Sequence, residues 1–136
     1  MSEGARVLTI IIPGTPCREL SPNGRVHHMT RYRAAEAAKT AAYYAAREAV
    51  GVEHLCDPVV CLQTGGRIRV DWMVAWERRR QRMDADNLIA SLKNTLDGIC
   101  TILGLDDRRC DVGTVEQVRD RDGGGWIRVT LTEARP

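Results

Sequence analysis

The stretch RIRVDWMVAWE, residues 67–77, decides how the rest of the chain can be read. Ile68, Val70, Trp72, Val74 and Trp76 occupy every second position, the period of a strand that buries one face and shows the other to water. Such a strand needs a covering layer, and both flanks offer one. Downstream, Leu88, Leu92, Leu96, Ile99 and Leu103 recur at helical spacing before Gly104, which predicts an amphipathic helix over 86–103. Upstream, TRYRAAEAAKTAAYYAAREAV (30–50) is built from strong helix formers between a capping residue, Thr30, and a stop, Gly51. Its alanines permit close packing against a sheet, and Tyr43 and Tyr44 are expected to supply bulk.

Further out, the β-branched run RVLTIIIPG (6–14) reads as a strand closed by Pro13-Gly14. Residues 112–120 and 125–134 read as two strands around an Asp-Gly-Gly-Gly turn at 122–125. The order is β-α-β-α-β-β. It predicts a small α/β (α+β) domain with a mixed sheet of about four strands and two main helices, and 136 residues suit one domain. The polar segment 15–33 is a long loop, a kind of element that often carries function.

Composition narrows the function classes. No run approaches the ~18 apolar residues of a membrane span, and MSEGARVLTIII lacks the basic start of a signal peptide, so a cytoplasmic protein is expected. Five cysteines without a CxxC pair suggest reduced thiols rather than a disulfide framework or zinc site. A net charge of +2 does not mark a nucleic-acid binder, but the charges are segregated. Basic residues cluster at RYR (31–33) and ERRRQR (77–82), and acids concentrate between 84 and 111.

The segment RMDADNLIASLKNTLDGI (82–99) sets Asp84 and Asp86 at the helix start. On a continuous helix Lys93 and Asp97 return to within ~20° of the face of Asp86, with Ala90 between. GLDDRRCDV (104–112) adds Asp106 and Asp107, which can reach Asp84 only if the chain doubles back along the helix. Hard cations such as Mg²⁺ take oxygen ligands, and a few carboxylates plus waters leave room for a phosphate. Lys93 can offset the acids or stabilise a developing anion. The same residues also fit plainer roles: Asp86 as a helix cap, Asp106-Asp107 as loop formers, Lys93 and Asp97 as an exposed i,i+4 pair. Likewise the arginine run fits a phosphate clamp or a solvated loop. Spacing alone does not choose.

Taken together, SPNGRVHHMTRYRAAEAAK (21–39), RRRQRMDADNLIASLKNTLDGI (78–99) and GLDDRRCDV (104–112) resemble the RusA family of Holliday junction resolvases in order, separation and flanking strands. The resemblance implies a homodimer that binds branched DNA and cuts four-way junctions with Mg²⁺ or Mn²⁺, needing no small-molecule cofactor. It implies Asp84, Asp86 and Asp107 as catalytic metal ligands, with Asp106 beside them and Asp97 as an auxiliary carboxylate, and Lys93 as the required lysine. In some members that lysine comes four residues after the second aspartate. Here Ala90 stands at that position, and Lys93 lies ~10.5 Å along the helix axis rather than ~6 Å. DNA contacts are expected from Arg25, His28, Arg31, Arg33, Lys39, Arg78, Arg79, Arg80 and Arg82. A DNA-binding module of the same fold that does not cut is the alternative, and a structural phage protein with acids as surface charge is a third.

Overall fold

The computed structural model describes residues 7–16, 20, 27–51, 66–78 and 82–134. Strand β2 (Arg67–Glu77) forms where the alternation places it, with Ile68, Val70, Trp72, Val74 and Trp76 buried on one face. Its antiparallel neighbour β4 (Trp126–Ala134) sets Ile127, Val129 and Leu131 on that same face. The strand β1 (Val7–Pro13) pairs antiparallel with β4 and adds Leu8, Ile10 and Ile12. On the other side of β2, β3 (Cys110–Asp120) runs parallel to it. The result is a mixed four-stranded sheet in the order β1-β4-β2-β3, within a small α+β domain.

The two strands around the glycine turn are therefore not neighbours, because β2 lies between them. Residues 121–125 must pass over the end of β2, and the close passage needs glycine. At Gly125, where φ is 90°, an added Cβ would sit 2.7 Å from the Ala75 carbonyl oxygen. A local turn signal cannot tell strands that pair from strands that straddle a third.

The β2–β3 register shifts between Val70 and Trp72, a bulge that Asp71 holds in place. Its carboxylate accepts the Thr114 N–H at 2.7 Å, the Thr114 hydroxyl at 3.0 Å and Arg69 Nε at 2.9 Å. Burial pushes the Asp71 pKa up, but these donors outweigh it and hold the carboxyl below its ordinary value. Further along, Arg67 forks onto Asp111, which consumes one member of the acidic cluster.

Helix α1 (His28–Val50) begins two residues before Thr30, and its cap is His27, whose Nδ1 accepts the Met29 N–H at 3.2 Å. It ends at Gly51 as expected, with φ 76°. The tyrosines do not fill the core. Tyr44 is 59% exposed and meets half-buried Tyr43 edge-to-face at 5.4 Å between centroids, while Ala42, Ala46 and Val50 make the buried contact. Small side chains win because α1 crosses its neighbour helix very closely: a Cβ on Gly98 would lie 2.3 Å from the Lys39 carbonyl oxygen.

The second helix is two. Segment α2 (Ala85–Ser91) and segment α3 (Lys93–Leu103) meet at Leu92, whose ψ of −6° departs from the helical value, while its N–H still bonds the Leu88 carbonyl at 3.0 Å and its carbonyl accepts the Leu96 N–H at 3.0 Å. The core stripe survives the break, with Leu88, Leu92, Ile99 and Leu103 buried and Leu96 packed against them. At the far end Gly104 takes the left-handed conformation expected of it. Strands β1, β2 and β3 point the same way, since β1 and β2 are each antiparallel to β4 and β3 is parallel to β2. The α2–α3 pair thus leaves the C-terminal edge of β2 and descends to the start of β3. No helix among the described residues is long and apolar enough to cross a membrane.

Candidate functional site

The residues that enter α2 are fixed before any charge is considered. Trp76 is fully buried and donates its indole N–H to Gln117 Oε1 at 2.7 Å, and Gln117 Nε2 donates to the Met83 carbonyl at 2.9 Å. Ser91, also buried, donates to the Leu88 carbonyl at 2.8 Å, and its hydroxyl lies 3.7 Å from the Met83 sulfur. Asp84 follows directly and caps α2, its Oδ1 accepting the Asn87 N–H at 2.9 Å. The cap is thus Asp84 and not Asp86, which lies in the first helical turn with its carboxylate released from that duty.

Asp86, Ala90 and Lys93 all face one cavity of about 430 Å³, floored by Trp72, Leu92 and Leu96 and rimmed by Ile89 and Val112. The seven-residue spacing therefore brings Lys93 to the same opening as Asp86 in spite of the break at Leu92. The methyl of Ala90 leaves the space between them open. Both charged groups are exposed, and neither forms an ion pair among the described residues.

Asp97 does not join them. It turns to α1 and pairs with Lys39 at 3.3 Å, with Glu36 3.8 Å from the same ammonium. The hydrogen bond and charge of Asp97 hold the Lys39 pKa above its ordinary value. The i,i+4 pair of Lys93 with Asp97 is not made, and Lys39, expected to meet DNA, has its charge partly neutralised within the chain.

Asp106 and Asp107 lie elsewhere. Asp106 caps a 3₁₀ turn at Asp107–Arg109, accepting the Arg108 N–H at 3.0 Å, and Asp107 is its exposed first residue. This turn precedes β3, whereas Asp84 follows β2, so the α2–α3 pair lies between the two stations in the chain. The chain does double back, but what β3 carries to the head of α2 is Val112 at the cavity and Gln117 at Met83. Among the described residues no three His, Cys, Asp or Glu side chains are placed to hold a metal ion.

Of the expected DNA contacts, His28, Arg33, Arg78 and Arg82 are exposed and Arg31 is half-buried. His28 rests on His27 with ring centroids 4.2 Å apart. Arg25, Arg79 and Arg80 lie outside the described residues. A cavity shared by Pro13, Thr15 and Leu20 with Ala34, Ala38 and Ser91 places the first half of α1 beside the end of β1. The cationic start of α1 and residues 82–86 therefore occupy the same edge of the sheet.

Two site features had weak sequence signals. Gln117 is one polar residue in a strand, and Trp72, Ile89 and Val112 read as ordinary core or strand positions until the cavity joins them. No family model matches the chain. It is similar to an uncharacterized protein of Xylella fastidiosa (strain Temecula1 / ATCC 700964), 39% identical over 94 residues, and those residues make up 69% of this chain and 57% of that protein.

Proposed function

We propose that the chain is an endodeoxyribonuclease of the RusA type. It would resolve four-way DNA junctions by paired phosphodiester hydrolysis, acting as a cytoplasmic, bacterial or phage-encoded homodimer with Mg²⁺ or Mn²⁺. The order of the three quoted segments supports the reading across most of the sequence. The observation that carries it is the convergence of the exposed Asp86 and Lys93 on one open cavity, with the exposed Arg82 a few residues before Asp86 in the chain. The cations grip phosphates flanking the scissile bond, and Lys93 stabilises negative charge developing on the phosphate oxygens. A junction with two-fold symmetry calls for two such edges, hence the dimer. The metal requirement rests on the resemblance, in which Asp84, Asp86 and Asp107 would hold the ion, and no step is assigned to it.

The same fold also suits a second reading, a DNA-binding module that holds junctions without cutting them. Asp86→Asn distinguishes the two. For an endonuclease, metal-dependent cleavage should fall on the order of 10²–10⁴-fold while junction binding is kept or strengthened. If wild type and Asp86→Asn are equally inert but bind equally, the enzyme reading is wrong.

A further inference from the structure

The core cluster draws on one face of the sheet, the face on which the helices pack. The strand register orders the opposite face. Ile11, Arg128, Met73 and Glu116 stand side by side across β1, β4, β2 and β3, and Pro13, Trp126, Ala75 and Val118 form the next row. Apart from Ala75 its apolar members are not buried as a core would bury them: Ile11 is 57% exposed, Pro13 is exposed, and Met73, Trp126 and Val118 are half-buried. Apolar surface gathered in this way marks a contact face.

The charges select what covers it. Arg67 pairs with Asp111 and Arg69 with Asp71. Arg128 instead lies along its apolar neighbours, with its guanidinium carbon 5.9 Å from the Trp126 ring centroid and a nitrogen 3.3 Å from the Met73 sulfur. Glu116 is exposed on the other side of Met73, and neither charge forms an ion pair among the described residues. A cation and an anion thus stand one strand spacing, ~5 Å, to either side of β2. That arrangement complements itself, because a half-turn about an axis along β2 lays each charge over its opposite. Asp71, Asp111 and Glu116 on this face oppose a phosphate backbone. We propose that two copies of the chain pack these faces together about a two-fold axis over Met73, so that Arg128 of each meets Glu116 of the other. Trp126 and Met73 fill the centre, and Ile11 flanks it. This interface gives the proposed homodimer its contact and rests on that part of the reading alone.

The test is the mass of the full chain in solution, measured by sedimentation velocity at micromolar concentrations. Wild type is expected to run as two chains. Glu116→Arg and Arg128→Glu each set like charges face to face and should raise the dimer dissociation constant at least about tenfold, with far-UV circular dichroism unchanged. Mixing the two variants puts opposite charges at both contacts and should return the dimer to within a few-fold of wild type. Ile11→Glu, at an exposed position outside the core, should weaken it several-fold. A monomeric wild type, a dimer whose mass ignores both single reversals, or a mixture that stays monomeric would each overturn the proposal. So would a chain that stays dimeric in both reversals but loses junction binding, which would assign the face to DNA. Mass is measured without DNA or metal, so a monomeric chain and an uncut junction are distinguishable failures.

Discussion

At the scale of single residues, this chain places its most informative polar groups where pairing, not charge alone, decides their role. Gln117 is the clearest. It satisfies the only polar atom on the buried Trp76 side chain and tethers the Met83 carbonyl just ahead of Asp84. Gln117→Leu strands the indole N–H and should cost about 1–3 kcal/mol in denaturant unfolding, with a further loss of whatever activity depends on Asp84 and Asp86. Asp71 supports the β2–β3 bulge, and its folded pKa is depressed. Its stabilisation is therefore fully present above the unfolded carboxylate value near ~3.9 and is lost as pH falls through the lower folded value. Asp71→Ala should destabilise by about 1 kcal/mol at neutral pH, discounted for partial exposure, and the gap to wild type should close as unfolding is repeated at progressively more acid pH. For the cavity, Lys93→Ala should reduce junction cleavage on the order of 10²-fold. Asp97→Ala, which among the described residues removes the carboxylate paired with Lys39, should change it by less than about tenfold.

At the scale of elements, the sequence was readable wherever one period and one end signal sufficed. The alternation of β2 and the glycine stops at Gly51 and Gly104 depend on local backbone preference, and all three hold. Three features depend on partners far along the chain, and these were not readable. The interruption at Leu92 follows no glycine or proline. The cap moved from Asp86 to Asp84, two residues of the same type two positions apart. The tyrosines of α1 gave way to alanines because the approach of α3 leaves no room for bulk. Gly98 records that approach, and Gly98→Ala tests it. Alanine is better by about 1 kcal/mol in a free helix, yet here the added methyl meets backbone at Lys39 and the helices must part. A net loss of about 1–3 kcal/mol in urea unfolding is expected. A gain in stability would show that α1 and α3 do not cross as described.

At the scale of the molecule, topology decides which distant segments meet. The parallel β2–β3 pair sends the chain back along the α2–α3 pair, so that Val112 reaches the cavity of Asp86 and Lys93 and Gln117 reaches Met83. The same topology sets the start of α1 and residues 82–86 at one edge of the sheet. If that edge grips a phosphate backbone through about four cations, raising salt from ~50 to ~200 mM should weaken junction binding on the order of a hundredfold, read by gel shift or anisotropy titration. Binding that ignores salt would remove the cationic edge from the interface. The most direct measurement is cleavage of a synthetic four-way junction beside linear duplex of the same sequence, with and without Mg²⁺. The expected result is two symmetric nicks confined to the junction and dependent on the ion. A junction that is bound and left intact under the same conditions would contradict the endonuclease reading.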